Sequence, residues 1–183
     1  PGRGAAKAVL SESRFNHFIF PVELAIAGGF FIIMEYRFNM ELLDIVDENG
    51  KPTGETVERK TAHSEGIRHR TRTAHVWIVR KSDEGAEVLL QKRAMNKDSF
   101  PGRYDTSSAG HIQAGDEPEE SAIRELHEEL GIKASVDDLQ FVDTFVIQYE
   151  KEFYGKMFKD SEIAFVYVYT KPVNIDELTL QKE

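Results

Sequence analysis

The sequence predicts an α/β layered domain, and three observations carry that expectation. Short β-branched and aromatic runs recur between Leu42 and Tyr169, one strongly amphipathic segment lies between Glu117 and Leu130, and turn-forming residues separate them. This is the pattern of a sheet with a helix packed on it. A length of 183 residues with 40% hydrophobic content is enough for a single core, so one fold is expected.

Leu42 to Val46 reads as a short strand, and Asp47-Glu48-Asn49-Gly50 with Pro52 reads as the turn after it. Ala74 to Val79 and Glu87 to Gln91 are apolar runs joined by Ser82-Asp83-Glu84-Gly85, as in a hairpin. Val76, Trp77, Ile78 and Val79 are consecutive, so both faces of that strand should be covered. A loop from Ala94 to Arg103, containing Pro101-Gly102, leads to a strand over Tyr104 to Ala109. The segment Glu117 to Leu130 is the clearest helix: Pro118 in its first turn, Glu119 and Glu120 near its positive end, Gly131 at its stop. Leu139 to Gln148 and Ile163 to Tyr169 read as two further strands.

Composition narrows the function classes. A formal charge of −9 with dispersed Lys and Arg argues against a nucleic-acid surface, although a phosphorylated small molecule still binds where a cation inverts the local charge. Cysteine is absent, which excludes disulfides, thiolate nucleophiles and Cys-bound metal, and fits a cytoplasmic protein. The apolar run Phe18 to Met34 is interrupted by Pro21, Glu23 and Gly28-Gly29, whereas a spanning helix needs about 20 apolar residues, so no membrane association is expected. Residues 1–40 read as an N-terminal extension, either accessory or non-native sequence ahead of Met40, and residues 41–183 as the folded domain.

The chemistry concentrates on the helix. With Ala122 at zero on a helical wheel, Ile123, Leu126 and Leu130 fall at about 100°, 40° and 80°, an apolar stripe that should face the sheet. Glu125, Glu128 and Glu129 fall at about 300°, 240° and 340°, so three carboxylates share another face. A solvated acidic face is the ordinary meaning of a Glu-rich helix. Here, however, Glu128 and Glu129 lie in the last turn, where the helix dipole disfavours anions, and a bound cation would remove the conflict. Oxygen ligands of this kind select magnesium or manganese.

Gly110, then Asp116 after five residues, then Arg124-Glu125-Leu126, Glu128-Glu129 and Gly131-Ile132 resembles the Nudix box. Every fixed position of the box matches except Asp116, which stands where the family has glutamate. The resemblance extends from about Glu41 to the end of the chain. It implies a Nudix-type α/β/α sandwich with a mixed sheet, and a small-molecule diphosphate substrate. It also implies Glu125, Glu128 and Glu129 as metal ligands, with the Gly110 carbonyl as a further one and Arg124 as their orienting ion-pair partner. The proton of the attacking water would pass to Glu128 or Glu129, with Glu162 as an outside candidate. The shorter Asp116 bears on how many metals bind, and Glu117 beside it could compensate.

Outside the box, Lys92 and Arg93 end a strand and could meet substrate phosphate, or be solvated strand-end charges. Tyr104 reads first as a core aromatic and second as a residue stacking on a base. His111 follows the box glycine and could touch metal or phosphate. His63, His69 and His75 surround a basic stretch, Arg68 to Arg72, that reads as a solvated strand start more than a zinc site. Thr179 to Glu183 is polar where relatives lead into another strand and a closing helix. The domain is therefore expected to be truncated as a fragment of a longer protein or, second, to have its missing cover supplied by the extension or by a second subunit in a homodimer.

Within the superfamily, Tyr104 to His111 is most similar to the branch that includes isopentenyl-diphosphate isomerase. That enzyme needs a cysteine just before the glycine-histidine pair, and Ala109 stands there. Its histidine and carboxylate metal site is only partly mirrored, by His69, His111, Asp160 and Glu162. A non-catalytic nucleotide-sensing module is the other rival, and it is disfavoured because such domains usually lose the box carboxylates. The resemblance favours a pyrophosphohydrolase.

Overall fold

The computed structural model describes residues 25–27, 30–32, 40–66 and 69–181. The chain divides into two units, Pro1–Asn39 and Met40–Glu183. In the first, β1 (Ala25–Ala27) and β2 (Phe30–Ile32) pair antiparallel. Apart from these two strands, the apolar run Phe18 to Met34 lies outside the described residues.

The second unit opens with the hairpin β3 (Leu42–Val46) and β4 (Pro52–Glu58), followed by the short helix α1 (Arg59–Glu65). The long β5 (Thr71–Ser82) turns into β6 (Gly85–Val88), and β7 (Gln91–Lys92) pairs with β8 (Tyr104–Asp105). Next come β9 (Ser108–His111), the helix α2 (Pro118–Leu130), and the hairpin β10 (Leu139–Phe153) with β11 (Lys156–Tyr169). The main sheet runs β10-β11-β5-β6, with β9 also paired to β5. Only the β11–β5 pairing in it is parallel, so the sheet is mixed, as expected.

α2 forms where its periodicity places it. Ala122, Leu126 and Leu130 are buried against Ala74, Val76 and Ile78 of β5 and Tyr167 and Tyr169 of β11. Each fully buried leucine contributes about 1.5–3 kcal/mol. Pro118 occupies the first turn, and Gly131 stops the helix at φ 72°, with the Ile132 N–H donating to the Leu126 carbonyl at 3.1 Å.

Several features depart from the sequence expectations. The polar β4 was not foreseen, and the strand foreseen over Glu87 to Gln91 is split between β6 and β7. The strand foreseen over Tyr104 to Ala109 is broken into β8 and β9 at Ser107. The Ser107 hydroxyl accepts the Ile78 N–H at 2.8 Å and donates to the Leu89 carbonyl at 2.7 Å, so a side chain replaces ladder bonds there. α1 was not foreseen: its one buried residue is Ala62, and so short and polar a segment carries no apolar period. The basic stretch is also not a solvated strand start. Arg68 lies outside the described residues, but Arg72 is buried and donates to Asp44 at 2.9 Å and to the Asp116 carbonyl at 3.2 Å. Asp44 also accepts the Gly115 N–H at 3.0 Å, so the pair ties the β3–β4 hairpin and the turn ahead of α2 to β5.

Candidate active site

A cleft of about 530 Å³ lies over the face of β5 and β11 that carries Thr73, His75, Asp160 and Glu162, and α2 brings its acidic side to one wall. Glu125 is the buried member of that side, at 9% exposure. It lies against Gly110, where a Cβ would run into the Glu125 carboxylate. Gly110 does not have positive φ, so its lack of a side chain serves close approach and not an unusual backbone. Arg124 donates to Glu125 at 2.6 Å, to Glu128 at 3.4 Å and to the His111 carbonyl at 2.9 Å, which holds both glutamates against β9. Glu129 accepts the Ala109 N–H at 3.1 Å and the Gln91 amide at 3.3 Å. Burial pushes the Glu125 carboxyl up to about 7, opposed by Arg124 and reinforced by Glu129 and Glu128. Burial also raises Glu129, against hydrogen bonds from Ser108, Ala109 and Gln91.

The opposite wall carries a second cluster. His111 Nε2 lies 3.0 Å from Glu162 Oε1 and 3.2 Å from His63 Nε2. His63 Nδ1 is 3.8 Å from Asp160, and Glu41 approaches His111 Nδ1 at 3.7 Å. Burial drives both histidines down to about 4, His63 further by proximity to His111, and His111 further by Arg59. Burial raises Glu162 to about 7, and burial with the neighbouring Glu162 raises Asp160 to about 7. The wall continues into aromatic side chains, with Phe158 stacked on His63 at 4.3 Å between centroids, and Phe100 and Tyr149 beyond it.

The foreseen site residues are thus only partly brought together. Glu125, Glu128, Glu129, Arg124, Gly110, His111, Glu162 and Arg93 all line the cleft. Arg93 is committed to Asp105 at 3.0 Å and to the Ser99 carbonyl at 3.1 Å, so it braces the loop bearing Phe100. Lys92 is exposed outside the lining. Tyr104 is 71% exposed and is neither a core residue nor part of the cleft, because its two-residue strand sits at the rim. His69 pairs with Glu65 at 2.8 Å, outside the cleft, and α1 delivers His63 in its place. His63 and Glu41 had no local signal as site residues, since the His63–His111 contact spans 48 positions.

Two donor sets therefore face one cleft. The set on α2 is all oxygen, which suits magnesium or manganese. Among the described residues, the group whose ligand atoms all come within 4.8 Å of one another is His63, His111 and Glu162. The α2 glutamates do not close into such a group, since Arg124 holds two of them and Ala109 with Gln91 holds the third.

The NUDIX domain family matches residues 69–183, which contain the box, both walls of the cleft except Glu41, Arg59 and His63, and the whole of the main sheet. The chain belongs to the Nudix family. Nudix hydrolase 3 of Arabidopsis thaliana is 41% identical over 145 residues, a match covering 78% of this chain and 18% of that protein. An uncharacterized Nudix hydrolase of Clostridium acetobutylicum is 37% identical over 143 residues, covering 78% of this chain and 66% of that one. An isopentenyl-diphosphate Delta-isomerase of Streptomyces avermitilis is 38% identical over 96 residues, covering 52% of this chain and 46% of the isomerase. Relatives of both kinds agree with the branch that Tyr104 to His111 resembles. Among the described residues, no helix is long and apolar enough to cross a membrane.

Proposed function

We propose that this Nudix domain hydrolyses a phosphate anhydride bond in a nucleoside diphosphate linked to a second group, or in a similar organic diphosphate, with magnesium or manganese as cofactor. The observation that carries the proposal is the seat of Glu125 against Gly110, with Glu128 and Glu129 beside it on one wall of a polar cleft. Buried carboxylates with elevated proton affinity favour a cation, and an all-oxygen set suits a small hard one. Glu125, Glu128, Glu129 and the Gly110 carbonyl would hold it. A divalent ion there supplies neutralisation of charge on the diphosphate and a more acidic water.

The chain's own groups supply the rest. Arg124 fixes the rotamers of Glu125 and Glu128 and ties them to β9 through the His111 carbonyl. Glu162 is a further proton acceptor: its carboxyl, raised to about 7, stands at the cleft with one oxygen on His111. A base with affinity near the working pH accepts a proton in the transition state and releases it afterwards. His111 is neutral at that pH, so it holds Glu162 as a hydrogen-bond donor without holding it ionised. Ala109 offers no ionisable group where isomerisation would need one, and its N–H is used to hold Glu129.

The test is phosphate release from a panel of nucleotide sugars, dinucleotides, oxidised nucleotides and prenyl diphosphates, with and without magnesium or manganese. Metal-dependent turnover of at least one class is expected. No turnover of any class with either metal would overturn the proposal.

A further inference from the structure

Among the described residues β10 has one sheet neighbour, β11, and its other edge is unpaired. The strand is 15 residues long, contains no proline, and exposes Phe141, Val142, Phe145 and Val146 at 51%, 55%, 47% and 54%. A long edge with no strand beside it, flanked by apolar side chains, is a template for another strand. We infer that this edge is a homodimer interface, in which two copies of β10 pair antiparallel about a two-fold axis at Ile147.

Symmetry and charge select that register. In a two-fold antiparallel pair, opposed residues lie equally far from the axis on either side and share a face of the sheet, so the axis must pass through a residue. β10 carries four charges, Asp143, Glu150, Lys151 and Glu152. An axis at Ile147 sets Asp143 opposite Lys151 at both ends of the paired stretch and opposes no like charges. An axis at Asp143, Glu150, Lys151 or Glu152 sets like charges face to face, and one at Val146 or Gln148 forms no ion pair. The same register sets Phe145 opposite Tyr149, an aromatic cross-strand pair. The ladder to β11 shifts between Phe141 and Asp143, so the regular strand begins where the ion pair would close the interface.

The two charged side chains are placed for this. One Asp143 oxygen accepts the Thr144 N–H at 2.8 Å, leaving the other for a cation. The Lys151 ammonium lies over the Phe100 ring at 4.8 Å and the Phe153 ring at 5.5 Å from their centroids, on the sheet face it shares with Asp143, and Lys151 itself is exposed. Because Ile147 and Tyr149 line the cleft, the dimer would set the partner's Phe145 beside its aromatic wall.

Light scattering coupled to gel filtration, with sedimentation velocity on the full chain over micromolar concentrations, reads the outcome. The unmodified chain is expected to be dimeric. Lys151→Glu opposes two carboxylates at each end and is expected to weaken association at least about tenfold, and Asp143→Lys combined with Lys151→Glu is expected to restore it. Both positions are exposed, so each variant should keep the parent's circular dichroism spectrum as a sign that the chain is folded. Amide exchange gives a second reading: protection of residues 144–150 should rise with protein concentration. A monomeric parent, or a Lys151→Glu chain that remains dimeric, overturns the interface. Failure of the double reversal to restore association, with the fold intact, overturns the register.

Discussion

Gly110→Ala tests the link between the box glycine and the wall proposed to hold the metal. β9 is extended there and Gly110 does not have positive φ, so alanine is compatible with the backbone. The three atoms nearest the added Cβ all belong to the carboxylate end of Glu125, a flexible terminus that can swing away, and Arg124, donating at 2.6 Å, must follow it. Stability should therefore change by less than about 1.5 kcal/mol, the scale of a tolerated repacking. The carboxylate has to retreat by about 1 Å, and a misplacement of that size costs on the order of a hundredfold in rate. Steady-state turnover with a responding diphosphate at saturating magnesium, beside urea denaturation, separates the two effects. Unchanged turnover would refute the claim that Gly110 exists to seat Glu125. A stability loss of the size seen for a lost core leucine, about 2–5 kcal/mol, would refute the claim that the clash falls on a movable side chain.

Four further outcomes are expected. Glu128→Gln should keep the fold and lower hydrolysis at least about a hundredfold, measured at saturating magnesium; full activity would remove Glu128 from the site. Arg72→Ala leaves Asp44 buried and unpaired and should cost about 3–5 kcal/mol in urea denaturation, whereas a cost under about 1 kcal/mol would show the pair to be idle. The carboxyls of Glu125, Asp160 and Glu162 are raised to about 7, so the folded state holds protons that the unfolded state has released, and stability falls as pH rises through 7. His63 and His111 are neutral in both states above pH 6.5, so between there and about pH 8 metal-free protein should melt lower as pH rises, and magnesium should raise the melting temperature more at the higher pH; equal magnesium shifts at both pH values would count against burial as the cause. Removing residues 1–39 should leave turnover and the melting of Met40–Glu183 unchanged, as expected for a separate unit.

The helix α2 was legible because its information is local. A period of 3.6 residues, proline in the first turn and glycine at the stop set Ala122, Leu126 and Leu130 on one side and Glu125, Glu128 and Glu129 on another, within a segment of 13 residues. The strands at Leu42–Val46, Ala74–Val79, Leu139–Gln148 and Ile163–Tyr169 were legible for the same reason, with β5, β10 and β11 longer than their apolar runs, whereas the runs at Glu87–Gln91 and Tyr104–Ala109 each split in two. Tyr104 was misread because aromatic character does not tell a core position from a rim position in a two-residue strand.

Sequence by itself thus determined that this chain carries a Nudix box, which residues form its acidic face, and that a mixed sheet backs it. Tertiary structure alone decided that Glu125 and not its neighbours is buried, that Arg72 pairs with Asp44 across 28 positions, and that α1 swings His63 rather than His69 to His111 and Glu162. A helix face follows from spacing along the chain. The histidine–carboxylate wall depends on β11 running parallel to β5 in the register that sets Glu162 beside Thr71, and on β9 pairing His111 with Thr73. That alignment comes from burying Val76, Leu126 and Tyr167 together in one core, a sum over distant contacts to which no short stretch of sequence corresponds.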